Sequence, residues 1–160
     1  MSLQDNLITQ RVDECFKELD LKYELDEEND VFRFNFSIDS KLSSVRFLFH
    51  TRKTDFWAQA TSPIGGDVSD PKMMASLAEL VCRINYSLVE GAFNIDFRDG
   101  ELNFHLAMDT SGMDAPTEQM VKLALFLPIQ MWKKYSAAFL AVIFNGKSAK
   151  DALDLVQDDD

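Results

Sequence analysis

The 160-residue chain is 46% hydrophobic, with thirteen Phe, two Trp and three Tyr against six Gly and four Pro, a composition that supports one sizeable core and excludes a disordered or linker-rich chain. Its net charge of -11 sits at the ends: residues 1–30 hold ten acids and three bases, residues 151–160 hold five acids and no base, and the stretch between is close to neutral. Without clustered Lys and Arg such a chain repels a phosphate backbone, so no nucleic acid is expected as a partner.

From the N-terminus, Leu3, Leu7, Ile8, Val12, Cys15, Phe16 and Leu19 recur at steps of three and four, which predicts a helix over about residues 3–20 with an acidic outer face. Leu21 to Leu25 can form a short strand that leads into the acidic turn Asp26-Glu27-Glu28-Asn29-Asp30. The period then changes to two: Phe32, Phe34, Phe36 and Ile38 alternate with Arg33, Asn35 and Ser37, one side dry and the other wet. Val45, Phe47 and Phe49 alternate in the next strand, and Asp55 to Thr61, with Phe56 and Trp57, supplies a fourth, so that the four form a meander. Ser62-Pro63-Ile64-Gly65-Gly66-Asp67 reads as a flexible crossover loop, followed by an N-cap at Asp70 and a first-turn proline at Pro71.

The second helix repeats Met74, Leu77, Val81, Ile84 and Leu88, and Gly91 is placed to end it. Phe93, Ile95 and Phe97 alternate before Asp99-Gly100, and Leu102, Phe104, Leu106 and Met108 after it. A two-residue type I′ turn there predicts Arg98 opposite Glu101, Asp96 opposite Asn103 and Asn94 opposite His105, all facing away from the core. Pro116 opens a long helix to about Asn145-Gly146, with a kink expected where Pro128 removes a hydrogen bond. Ser148 with Asp151 caps a short last helix. The order α-β-β-β-β-α-β-β-α-α, with hairpin links, predicts an α+β fold in which helices pack on one face of an antiparallel sheet. Residues 1–157 form the expected single domain, and Asp158-Asp159-Asp160 an acidic tail with no site of its own.

The most apolar stretch, Leu123 to Asn145, has uncharged runs over 123–132 and 135–146, too short to span about 30 Å of hydrocarbon, so no membrane contact is expected. No basic segment followed by an apolar run opens the sequence, which fits a cytoplasmic protein. Cys15 and Cys82 lie in predicted helices without CxxC spacing and read as reduced thiols in or near the core; their mutual distance stays open. The two histidines, His50 and His105, each lie on a strand with no nucleophile or orienting group marked, so no catalytic residue is assigned and no enzyme is expected. The Asp26 to Asp30 turn lacks the twelve-residue calcium-loop pattern, and Gly65-Gly66-Asp67 lacks any GxGxxG or GxxxxGK pattern, so neither a metal nor a cofactor is expected. Asp96 and Asp109 are carboxylates with no cleft between them, and a glycosidase reading has no support. Met73, Met74, Met108, Met113, Met120 and Met131 each read as core filling, though their number leans toward protein contact.

The stretch from Leu80 to Asp96, with its helix ending in Ile84-Asn85 and then Gly91-Ala92-Phe93-Asn94-Ile95-Asp96, resembles the YbjN family, and the hairpin Phe97-Arg98-Asp99-Gly100-Glu101-Leu102 continues the likeness. The resemblance implies a fold like the small acidic type III secretion chaperones: helices on one side of a curved antiparallel sheet, paired into a homodimer. It implies recognition of an extended segment of another protein, and for Asn85, Gly91, Phe93 and Asp96 a structural role. The reading is therefore a non-enzymatic protein-binding module, chaperone-like or regulatory, whose contact residues are unknown. The alternative is a sensor with a small molecule between sheet and helices touching Trp57, Phe104 and Trp132; a hydrolase would need His50 or His105.

Overall fold

Asn6 opens the first helix, because its side-chain oxygen accepts from the otherwise unpaired amides of Ile8 and Thr9 at 3.1 and 3.3 Å. In this computed structural model, which describes residues 6–157, α1 runs Leu7–Glu18 and buries Ile8, Val12, Cys15 and Phe16. Leu7 points to the surface, and Leu3 and the acidic end 158–160 lie outside the described residues. The remaining elements are β1 (Glu24–Asp26), β2 (Val31–Ser37), β3 (Ser44–Thr51), β4 (Asp55–Thr61), α2 (Pro71–Tyr86), β5 (Ala92–Ile95), β6 (Leu102–Asp109), α3 (Glu118–Asn145) and α4 (Ala149–Gln157). This is the expected element order and the expected α+β class. All strand pairs are antiparallel in the order β1-β2-β3-β4-β6-β5, so the last hairpin docks through β6 and leaves β5 at the far edge.

Alternation places one row of Phe32, Phe49, Ala58 and Leu106, and another of Phe34, Phe47, Ala60 and Phe104, on the inner face. The helices cover that face. Phe16 of α1 meets Phe32, Phe34 and Phe49 edge-on, with ring centroids 5.2–5.4 Å apart. The small side chains of Ala58 and Ala60 let α3 come close enough for Trp132 to donate its indole N–H to the Ala60 carbonyl at 2.9 Å. A buried polar cluster ties α1 to the sheet: the Thr9 hydroxyl donates to Asp30 Oδ1 at 2.9 Å and lies 2.5 Å from the Thr51 hydroxyl.

Four expectations need correction. α2 stops at Tyr86, where the Ser87 hydroxyl and amide both bond the Ile84 carbonyl, so Leu88 lies beyond the helix and Gly91 does not end it. Pro116 lies one residue before the N-cap Thr117, which accepts from Met120 N at 3.2 Å, and α3 continues through the buried Pro128 to Gly146. The last hairpin turns through four residues, Phe97 to Gly100, so Asn94 faces Asn103 and Ala92 faces His105, two positions away from the expected register. A type I′ turn needs positive φ at both central residues, and here only Gly100 has it, at +81°. Finally, Gly65-Gly66 is a docking point. Gly66 N–H donates to the Gly100 carbonyl at 2.9 Å, and a Cβ on Gly100 would fall 2.0 Å from the Gly66 oxygen.

Candidate protein-binding surface

The residues that carry the YbjN-like pattern converge at the β5 edge. Asn85, the penultimate residue of α2, donates from Nδ2 to the Phe93 carbonyl and accepts from the Phe93 N–H, both at 2.9 Å. Its amide thus pairs with β5 as a neighbouring strand would, and an edge occupied in this way offers less to a further strand. Gly91 enters β5 at φ +70° with its α-carbon against Phe104; a Cβ would stand 2.5 Å from that ring. Phe93 is buried among Phe104, Trp132, Tyr135 and Phe139, with centroids 4.9–5.8 Å away. Asp96 accepts from the amide of Arg98 at 2.8 Å and from its guanidinium, which fixes the loop and pulls the carboxyl down to about 2. All four residues hold the fold together.

The outer face of the sheet carries Trp57 between the two histidines. His50 stacks on the indole at 4.1 Å between centroids, and His105 lies tilted at 5.3 Å. Burial is the main cause lowering both imidazoles, with Arg33 and Arg52 adding to the effect at His50, so both are neutral near pH 7. No hydroxyl or thiol is bonded to either ring in a nucleophile–base pair among the described residues, and no group of three metal-ligating side chains is found there. The arginines of this side are each paired: Arg33 with Asp26, Arg46 with Glu101, Arg52 with Asp55 and Arg98 with Asp96. Paired arginines on an acidic chain offer a polyanion no continuous basic track.

The expected ligand trio is split. Phe104 is cross-strand from Ala60 on the inner face and, like Trp132, fully buried, whereas Trp57 projects from the opposite face. The three line no common cavity. Cys82 is exposed rather than near the core, while Cys15 is buried, which pushes its thiol up; both are free. Of the methionines singled out in the sequence, Met113 alone is largely exposed; Met74 is buried and Met73, Met108, Met120 and Met131 pack against the core.

Apolar side chains stand exposed at Tyr86 and Val89, around the end of α2, and also on α3 and α4, where they border a groove. Phe144 is 67% exposed and Leu155 49%, and with Ala137, Leu140, Ala141, Asn145 and Lys41 they line a groove of about 440 Å³. Its walls hold one charge, the Lys41 ammonium. Sequence reasoning missed this groove because Phe144 and Leu140 belong to a segment apolar on every side, where periodicity does not separate the buried stripe from the exposed one.

No protein-family model matches the chain, and no curated protein sequence does. Among solved structures, YbjN from E. coli, for which a role in transcription regulation has been proposed, is similar over 76% of this chain and 83% of that one, with a TM-score of 0.54 and 10% identity. The fold is YbjN-like. The same YbjN-like arrangement is found in the ExsC-ExsE complex, similar over 83% of this chain and 95% of that one, with a TM-score of 0.52 and 16% identity. The resemblance drawn from Asn85, Gly91, Phe93 and Asp96 therefore holds at the level of fold. Among the described residues, no helix is long and apolar enough to cross a membrane.

Proposed function

We propose that this chain is a non-enzymatic, chaperone-like protein-binding module that works in the cytoplasm and holds a segment of another protein. The observation that carries the reading is the exposed apolar groove around Phe144 and Leu155, on a fold that in the ExsC-ExsE pair occurs in a complex of two proteins. The sensor alternative loses its support, because Trp57 is on the wrong side of the sheet for a ligand held by Phe104 and Trp132. Homodimerisation belongs to the same proposal; sedimentation at about twice the 18.2 kDa chain mass is the expected outcome, and sedimentation at the chain mass itself would overturn it.

Affinity capture of the tagged chain from its native lysate, read by mass spectrometry, tests the binding reading. One protein recurring at comparable stoichiometry is the expected result. Recovery of the bait alone across growth conditions, together with stabilisation by a metabolite in a thermal-shift screen, overturns it in favour of a sensor.

A further inference from the structure

Along the outer side of α3, Leu123, Phe126, Gln130 and Lys133 follow one another at steps of three, four and three residues. The series continues through Ala137, Leu140 and Phe144 at four, three and four. An alternation of three and four is the 3.5-residue repeat with which a helix presents one seam to another helix. The seam is distinct from the face that packs on the sheet through Ala124, Trp132 and Phe139, all buried. Leu123 and Phe126 are each 38% exposed, and Gln130, Lys133 and Phe144 are open to solvent. Its far end runs into the groove that Leu155 of α4 closes on one side.

Beyond its first residue, α3 itself carries charge opposite to that of the molecule, although Lys122 is paired with Glu118 and has Glu18 of α1 nearby. Between Gln119 and Asn145 the chain has three lysines, Lys122, Lys133 and Lys134, and no acid, although acids outnumber bases overall by 27 to 16. Lys133 is the one charged seam position and lies at its middle. If two copies paired through this seam in register and parallel, Lys133 would face Lys133; the antiparallel pairing of greatest overlap, Leu123 against Phe144, also brings the two Lys133 ammoniums together. Like charges meeting inside a helix interface are unfavourable. Self-pairing is thus disfavoured at this site.

We propose, resting on the protein-binding reading above, that the α3 seam docks an amphipathic helix of a different protein, apolar at a three-four spacing and carrying an Asp or Glu that meets Lys133. The apolar ends, Leu123 with Phe126 and Leu140 with Phe144, supply the contact, and the lysine sets register and sign. The homodimer contact, in this arrangement, lies on another surface.

The test uses the full chain and labelled helical peptides about four heptads long, with Leu at the seam positions and Glu or Lys at the central one. Fluorescence anisotropy at peptide concentrations below their own association gives the affinities. The Glu peptide is expected to bind saturably and about tenfold or more tighter than the Lys peptide, with the preference reversed on Lys133→Glu. Phe126→Asp with Phe144→Asp is expected to abolish binding while a native circular dichroism spectrum shows that the variant stays folded; Phe144→Asp alone, at a side chain 67% exposed, is expected to weaken binding with the melting temperature retained. Equal binding of both peptides, binding indifferent to these substitutions, or self-association of the wild-type chain that the double variant abolishes, overturns the proposal. If a lysate partner is still captured by the double variant, the protein-binding reading stands while the seam falls.

Discussion

Asn85 and Phe93 show how much one side chain can settle. The amide of Asn85 satisfies both a donor and an acceptor of the edge strand, so Asn85→Leu leaves two backbone groups without that partner. The substitution is expected to lower stability by about 1–3 kcal/mol in urea unfolding, while Asn94→Ala on the open face stays within about 0.5 kcal/mol. Similar losses from the two positions would sink the account of Asn85. Gly91→Ala meets two obstacles at once, a positive φ and the Phe104 ring, and should cost at least about 1–3 kcal/mol by the same measurement. At this scale the sequence named the residues but not their work. Asn85 was visible as part of a pattern, yet its partner lies eight positions on, and only the packed hairpin brings the two together.

Among the elements, strands were legible wherever alternation ran long. Phe32 to Ser37 and Asp55 to Thr61 fall in strands as expected, because one face is dry and a slip of one residue would turn it to water. What escaped was set by contacts remote in sequence. The four-residue loop after Asp96 forms against Gly66, thirty or more positions earlier, and the end of α2 is decided at Ser87 rather than at the more conspicuous Gly91. The shift of hairpin register by two kept the paired side chains on their expected faces, which is why the hydrophobic pattern gave little warning; Phe97, expected to face inward, lies in the loop instead and is 60% exposed. The seating of α3 rests on the small residues of β4. Ala60→Val adds two methyl groups beneath Trp132 and is expected to destabilise by about 1–3 kcal/mol, read as a lowered urea midpoint. Removing the cap of α2 with Asp70→Ala, which frees Met73 N–H, should cost about 1 kcal/mol.

For the molecule as a whole, the shifted groups predict two stages of acid weakening. His50 and His105 have folded values below their usual 6.5, so the unfolded chain takes up protons first and stability, full above about that pH, declines as pH falls from there toward the folded values. Asp26, Asp67, Asp96 and Asp109 are lowered by hydrogen bonds; their contribution is full above the ordinary 3.8 and is lost as pH falls through the folded values, about 2 for Asp96. Urea midpoints from pH 8 to 3 should fall in both ranges, and the His50→Gln, His105→Gln double variant should lack the upper step; persistence of that step assigns it elsewhere. Fold class was readable at this scale because composition and periodicity act over the entire chain. The binding surface was not, since the same apolar letters serve core and exterior in α3. The two tryptophans, separated by the thickness of the sheet, give the protein a pair of built-in optical reporters. Trp132 sits in a dry interior and is expected to emit to the blue, beyond the reach of iodide, whereas Trp57 lies under His50, whose protonation is expected to quench the stacked indole. A single emission spectrum recorded during acid titration therefore separates charging of the outer face from loss of the core.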